Sequence, residues 1–197
     1  MSIFNYKRRQ TSETKLYPKH PGQNEGLGIG GDNPVRLQSM TNTPTADVEQ
    51  SSAQIRKIVH EGADLVRLTT QGVKEASAIA EMPHIVPLVA DVHFNPNAAF
   101  RAAETCEKVR INPGNFADPV HRFQTIEYSD EEYAEELSRL RTKLVPFLNK
   151  CKECKTALRL GVNHGSLSDR IMSRYGDTPN GMVESAMEFL KVFLRLN

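Results

Sequence analysis

Four short apolar segments of this 197-residue sequence each carry an arginine. They are Val35-Arg36-Leu37-Gln38, Val66-Arg67-Leu68-Thr69, Val109-Arg110-Ile111-Asn112 and Leu158-Arg159-Leu160-Gly161. A buried guanidinium costs free energy unless an anion or a carboxylate meets it. Residues two apart share one face of a strand, so Arg110 and Asn112 point together. The pattern predicts strands whose polar faces meet one anionic ligand.

Three of these arginines, Arg67, Arg110 and Arg159, would surround one pocket if the strand faces converge, and Asn163 would add an amide. Guanidinium forks match phosphate oxygens in bidentate geometry, so a diphosphate would account for three of them. In the alternative interpretation the arginines form buried structural ion pairs. That alternative is weakened because Asp91 is the only acidic residue at these strand ends.

The nearly apolar run at 86–92 is typical of a parallel strand covered on both faces. Asp91 lies at its end, and His93 follows it directly. The pair could ligate a metal, transfer a proton, or act as hydrogen-bonded scaffolding. Two candidate ligands fall short of a metal site. Substrate contact or proton transfer is therefore favoured, and both residues are candidate catalytic residues.

Alternating strands and helices must position these side chains. Strands are predicted at 35–39, 63–69, 86–92, 108–111 and 157–162. Helices are predicted at 48–61, 73–80, 97–106, from 128 onward with a kink or break at Pro146, and at 181–196. Residues 1–33 are predicted to form an irregular N-terminal segment, and residues 34–197 the first part of a barrel domain.

Five strand–helix units indicate a parallel α/β fold with its site at the carboxyl ends of the strands. No dinucleotide fingerprint follows the first strand, which favours a (β/α)8 TIM barrel over a doubly wound sheet. A closed barrel takes about 250 residues. The sequence therefore predicts an incomplete barrel that forms the front of a longer protein.

The composition excludes several classes of partner. A net charge of +1 provides no field to recruit nucleic acid or a membrane surface. No apolar run approaches the length of a membrane span. Three cysteines give no disulfide framework, which favours a reducing, cytoplasmic setting.

Cys151 and Cys154 have a spacing that recurs in zinc and iron–sulfur sites. They precede the last predicted strand, on the side of the sheet opposite the proposed pocket, and Cys106 is the only other cysteine. We therefore predict reduced thiols without a redox role. Four of the histidines are predicted to be surface residues, namely His20, His60, His84 and His121.

Five motifs occur in an order that resembles the N-terminal barrel of the 4-hydroxy-3-methylbut-2-enyl diphosphate synthase family. They are QSMTNTPT at 38–45, VRLT at 66–69, PLVADVHFN at 87–95, VRINPGN at 109–115 and LRLGVNHGSL at 158–167. The segment at 168–177 is similar to the longer, plant-type branch. The resemblance implies reductive ring opening and dehydroxylation of 2-C-methyl-D-erythritol 2,4-cyclodiphosphate, in the methylerythritol phosphate route to isoprenoids.

The resemblance also implies roles for residues. The diphosphate is expected to bind at the barrel mouth through Arg67, Arg110 and Arg159, in a pocket lined by Asp91, His93, Asn112 and Asn163. The resemblance does not extend to Arg36, for which a structural role is expected. Two electrons are expected to come from flavodoxin or ferredoxin through a [4Fe-4S] cluster. The ligands of that cluster, three cysteines and a glutamate, are expected in a C-terminal domain outside this chain.

This chain alone is therefore expected not to carry out the redox reaction, and the full-length enzyme is expected to be a homodimer. Two alternatives stay open. One is a non-redox TIM-barrel enzyme of the dihydropteroate synthase-like type, which would bind a phosphorylated or pterin substrate. The other is a non-catalytic fragment that binds a diphosphate or only pairs with another chain.

Overall fold

The computed structural model describes residues 11–21, 26–117 and 127–196, and seven strands lie within them. These are β1 Thr14–Leu16, β2 Leu27–Ile29, β3 Gln38–Met40, β4 Leu65–Thr70, β5 Leu88–Val92, β6 Lys108–Ile111 and β7 Ala157–Leu160. Strands β3 to β7 form one parallel sheet in chain order, and β1 pairs with β2 in a separate antiparallel ribbon. The predicted incomplete TIM barrel is confirmed.

The helices follow the strands as the alternation requires. They are α1 Val48–His60, α2 Val73–Ile79, α3 Pro96–Thr105, α4 Pro113–Phe116, α5 Asp130–Glu153, α6 Asp169–Tyr175 and α7 Pro179–Leu194. The short helices α4 and α6, and a 3-10 turn at His164–Ser166, were not predicted. No helix in the described ranges is long and apolar enough to cross a membrane.

The sheet has one apolar face and one face that carries the charged residues. The apolar face packs against the helices in a single core that includes Val66, Leu68, Ala90, Val109 and Ile111 from the strands. Helix α3 lies close to the sheet because the side it buries consists of alanines, at positions 98, 99, 102 and 103. The opposite face carries every other residue of each strand, with Asp91, Arg110 and Arg159 toward the carboxyl ends and Lys108 at the start of β6.

The first strand of the sheet lies later than predicted. Strand β3 begins at Gln38, whereas Val35 and Leu37 are 79% and 61% exposed. Their alternation with Arg36 mimics a strand, but the backbone pairing with β4 begins only at Leu37, whose carbonyl accepts from the amide of Leu65. The Arg36 guanidinium donates to the carbonyl of Gly28 at 3.0 Å and lies 3.6 Å from Asp64. These contacts fit the structural role expected for Arg36.

The N-terminal segment was predicted to be irregular, but Thr14–Leu16 and Leu27–Ile29 within it form the ribbon of β1 and β2. Its apolar residues cover the amino-terminal end of the charged face, where Leu16 is fully buried against Leu65 and Val89. Each strand has only three residues, too few to show a periodic pattern in the sequence. The division between residues 33 and 34 stays a prediction.

Helix α5 is a single 24-residue helix, although Pro146 lies within it. A capping box between Ser129 and Glu132 fixes its start. Proline removes one intrahelical hydrogen bond, but Pro146 is exposed, so water can satisfy the carbonyl that loses its partner. The apolar stripe on the other side, which includes Leu140, Leu144 and Phe147, is buried throughout and holds the helix together.

Candidate functional site

Asp91 lies at the centre of a charged cluster at the carboxyl ends of β4, β5 and β6. Its carboxylate accepts a hydrogen bond from Nη1 of Arg110 at 2.5 Å. The other oxygen lies 3.5 Å from Nε of Arg67 and 3.5 Å from Nε2 of His93. The Asp91 side chain is only 4% exposed, whereas those of Arg67 and His93 are 27% and 26% exposed. The acid is therefore buried beneath basic groups that partly face solvent.

Strand register explains why these residues meet. Asp91 on β5 lies beside Thr69 on β4 and Arg110 on β6, and Arg110 lies beside Arg159 on β7. Neighbouring residues of parallel strands point to the same face, so these side chains share one row. Arg67 lies one row nearer the amino-terminal end of β4, and its long side chain reaches Asp91 from there.

Arg110 is held by three different partners. Besides Asp91, its Nη2 donates to the carbonyl of Gly161 at 3.2 Å and to Oδ1 of Asn163 at 3.4 Å. The guanidinium lies very close to the backbone of Gly161, which directly follows β7. A Cβ atom on Gly161 would lie 2.0 Å from Nε of Arg110. Gly161 thus leaves the space that Arg110 occupies.

Asn112 joins two loops instead of contacting the arginine cluster. Its Oδ1 accepts from the amide of Gly114 at 3.0 Å and caps α4, while its Nδ2 donates to Oγ of Ser166 at 2.6 Å. The two loops are in close contact, since a Cβ on Gly114 would lie 1.6 Å from the Ser166 carbonyl oxygen. Asn112 is buried, and its role in substrate binding stays a prediction.

Arg159 is the most exposed of the three arginines predicted to bind an anion. It makes no side-chain hydrogen bond or ion pair within residues 11–21, 26–117 and 127–196. Lys108 lies on the same face of the sheet as Arg159. Burial lowers the pKa of Lys108, and the positive charge of Arg159 lowers it further. Arg159 therefore offers a guanidinium that no carboxylate of the described chain neutralises.

Three residues of this site, Lys108, Met40 and Ser166, were not predicted from the sequence. Lys108 lies two residues before Arg110 on β6, so the face-sharing rule that grouped Arg110 with Asn112 could have found it. The sulfur of Met40 contacts the Arg67 guanidinium at 3.0 Å, and Ser166 binds Asn112. No sequence pattern predicts these last two contacts, because each joins residues from distant segments.

The pKa of Asp91 yields a prediction about stability. Burial on its own would raise this pKa, but hydrogen bonds from His93 and Arg110, together with the Arg110 charge, hold it below the ordinary value of 3.8. The stabilising contribution of the carboxylate is thus fully present above that ordinary value and is lost as the pH falls through the lowered pKa.

We therefore expect Asp91→Asn to lower the free energy of unfolding at neutral pH and the difference from wild type to shrink in acid. Urea unfolding of both proteins across the pH range measures this difference. If the difference persists undiminished well below pH 3.8, the Asp91 charge does not stabilise the fold.

The three cysteines do not fit an iron–sulfur cluster, which is held by thiolates. Burial raises the pKa of Cys106 and of Cys151 to about 12 each, so both stay protonated at neutral pH. Among the residues that the structure describes, no group of three potential metal ligands includes a cysteine. Cys106, Cys151 and Cys154 are free thiols within the described residues, and the absence of a redox role for Cys151 and Cys154 stays a prediction.

Comparison with known proteins identifies a family match and close relatives. Residues 23–197 match the family described as GcpE TIM-barrel domain. The chain is 58% identical, over 98% of its length, to a 4-hydroxy-3-methylbut-2-en-1-yl diphosphate synthase (flavodoxin) of Bacteroides fragilis, of which it covers 30%. It is 44% identical, over 100% of its length, to the chloroplastic 4-hydroxy-3-methylbut-2-en-1-yl diphosphate synthase (ferredoxin) of Oryza sativa subsp. japonica, of which it covers 26%.

A solved structure of a dihydropteroate synthase from Coxiella burnetii, in complex with pteroic acid, aligns with 84% of this chain and 72% of its own. The TM-score is 0.36 and the sequence identity is 12%, which is too little similarity to bear on function. The chain spans less than a third of the length of these two curated relatives, at 30% and 26%.

Proposed function

This chain belongs to the GcpE TIM-barrel domain family, and from that premise we propose that it is the substrate-binding barrel of a 4-hydroxy-3-methylbut-2-en-1-yl diphosphate synthase. The substrate would be 2-C-methyl-D-erythritol 2,4-cyclodiphosphate, opened and dehydroxylated reductively for isoprenoid biosynthesis. The family expected from the five sequence motifs is thereby confirmed.

One observation carries this proposal, namely the excess of positive charge around Asp91. Arg67 and Arg110 both contact this single carboxylate, and Arg159 lies beside Arg110 with no acidic partner in the described chain. Three guanidinium groups thus face one carboxylate. The uncompensated charge suits an anion with two ionised phosphoryl groups, which guanidinium forks bind in bidentate geometry.

Each residue would contribute binding, orientation or proton transfer. Arg110 would hold a phosphoryl oxygen with a guanidinium already oriented by Asp91 and Gly161, which reduces the ordering cost of binding. Arg159 would close on the ligand from the exposed side. His93, at 3.5 Å from the Asp91 carboxylate and partly exposed, would hold a proton toward the substrate while Asp91 orients its ring.

Ring opening by reduction needs electrons that these side chains cannot supply. We propose that the full-length protein would hold a [4Fe-4S] cluster outside this chain, which would supply the electrons. A flavodoxin or ferredoxin, the proteins printed in the names of the relatives, would be the electron donor. A homodimeric full-length enzyme and a cytoplasmic location belong to the same proposal. Three free cysteines within the described ranges support a reducing compartment.

The test is calorimetric titration of the complete gene product that carries this chain with 2-C-methyl-D-erythritol 2,4-cyclodiphosphate. We expect saturable binding of one ligand per chain that weakens as salt is added, because the contacts are ionic. A pterin pyrophosphate serves as the comparison ligand. Binding of the pterin with no binding of the cyclic diphosphate would contradict the proposal and support an enzyme of the dihydropteroate synthase-like type.

A further inference from the structure

A second cluster of potential ligands lies at the opposite end of the sheet from Asp91. It consists of His20, which follows β1, His84, which precedes β5, and Glu107, which directly precedes β6. The surface position predicted for His84 is wrong: His84 is 8% exposed and Glu107 is fully buried. His20 is half-buried. The cluster takes no part in the site around Asp91.

The donor atoms of this cluster are close together. Nδ1 of His84 lies 3.3 Å and 3.4 Å from the two carboxylate oxygens of Glu107. One ligand atom from each of the three residues can be chosen so that all lie within 4.8 Å of one another. Two imidazoles and one carboxylate are a donor set that zinc and related divalent ions accept.

Both imidazoles make the backbone contact that metal-binding histidines commonly make through their second nitrogen. Nε2 of His84 lies 3.1 Å from the carbonyl oxygen of Ile79, and Nε2 of His20 lies 2.9 Å from that of Thr105. A carbonyl can only accept, so each Nε2 carries a hydrogen. Metal-ligating histidines commonly donate this second N–H to a backbone carbonyl, which leaves the other ring nitrogen to meet the ion.

We propose that His20, His84 and Glu107 bind a divalent transition-metal ion of the zinc class, with the two Nδ1 atoms and one carboxylate oxygen as ligands. Water would complete the coordination. The positive charge of the ion would add to that of Lys19, which already interacts electrostatically with the fully buried Glu107 carboxylate. The ion would tie the segment after β1 to the loops before β5 and β6, as a structural site.

The stacked rings define what must change on binding. The His20 and His84 rings stack with centroids 3.5 Å apart and planes inclined by 22°. A metal ion takes the lone pair in the plane of each ring, so the stack must open while both Nε2 contacts serve as pivots. Because the His84 imidazole also lies against the Glu107 carboxylate, binding of an ion requires both rings to shift from the stacked arrangement.

The test is titration of the chelator-treated 197-residue protein with Zn²⁺ and with Co²⁺. We expect one equivalent of Zn²⁺ to bind and to raise the midpoint of thermal unfolding, because a ligand that binds only the folded state stabilises it. Bound Co²⁺ should show the weak visible bands of nitrogen and oxygen ligation. His20→Ala should weaken Zn²⁺ binding at least tenfold, and because His20 is half-buried this variant should still fold.

Two control variants separate this site from other sources of binding. His60→Ala removes an exposed histidine at the end of α1 and should leave the affinity unchanged. Cys154→Ser removes the most accessible thiol and should do the same. The proposal is overturned if wild type binds no Zn²⁺, if His20→Ala binds as wild type does, or if Co²⁺ gives an intense thiolate charge-transfer band. The first result would assign the cluster as a buried histidine–glutamate ion pair.

Discussion

Replacing Arg110 with alanine is expected to weaken binding of the cyclic diphosphate by about 30-fold or more. Truncating one partner of a buried, hydrogen-bonded charge pair costs about 2–5 kcal/mol, and about 1.4 kcal/mol corresponds to a tenfold change in affinity. Arg110 is nearly buried and is held by Asp91, Gly161 and Asn163. Its loss removes an oriented guanidinium and leaves Asp91 with one fewer positive partner.

Calorimetry on the complete gene product measures this loss, and Arg36→Ala is the matched control. Arg36 comes from the same apolar–arginine–apolar pattern, but its partners are Asp64 and the Gly28 carbonyl. Its replacement should leave the affinity within about twofold, as expected for a site away from the ligand. Equal losses in the two variants would show that the effect comes from the general charge of the protein instead of the Asp91 cluster.

Gly161→Ala is expected to weaken ligand binding at least tenfold and to lower the free energy of unfolding by about 1–3 kcal/mol, the usual cost of overpacking. The new methyl group would lie 2.0 Å from Nε of Arg110, so the guanidinium must leave its place. Both losses should occur without any change in charge, because the variant changes only the space that Arg110 occupies.

The control for this variant is Gly165→Ala, four residues further along. A Cβ atom on Gly165 meets nothing within 4 Å, so this change should be nearly neutral in chemical denaturation and in ligand titration. If Gly161→Ala binds the cyclic diphosphate as wild type does, then the placement of Arg110 against β7 does not matter for binding.

The sequence correctly grouped side chains in space where the pattern within a single strand carries the information. The period of two placed Asp91 with His93, and the carboxyl ends of adjacent parallel strands brought Arg67 and Arg110 to the same carboxylate. The interpretation as structural ion pairs, set against an anion site, is also partly right. Asp91 pairs with Arg67 and Arg110, whereas Arg159, the third of these arginines, has no acidic partner in the described ranges.

The sequence failed where contacts join distant segments. Arg170 on α6 donates from Nη2 to Glu188 on α7 at 2.6 Å, and both side chains are buried. Charged residues of this kind are normally read as surface residues, since burial becomes favourable only when the partner is in place. The burial of His84 was not predicted for the same reason, because its partner Glu107 lies in another loop.

The ribbon beneath the sheet has a consequence for how the chain folds. Leu16 packs in one cluster with Leu65 and Val89, and Ala157 from β7 packs against it. Nearby, the Lys19 ammonium donates to Thr156, which lies 137 residues further along the chain. Contacts between such distant residues form late, because the entropy of closing so long a loop is lost before the contact can form. The ribbon is therefore among the last parts of the fold to reach its final place, and until β7 has been synthesised it lacks part of the surface that it covers.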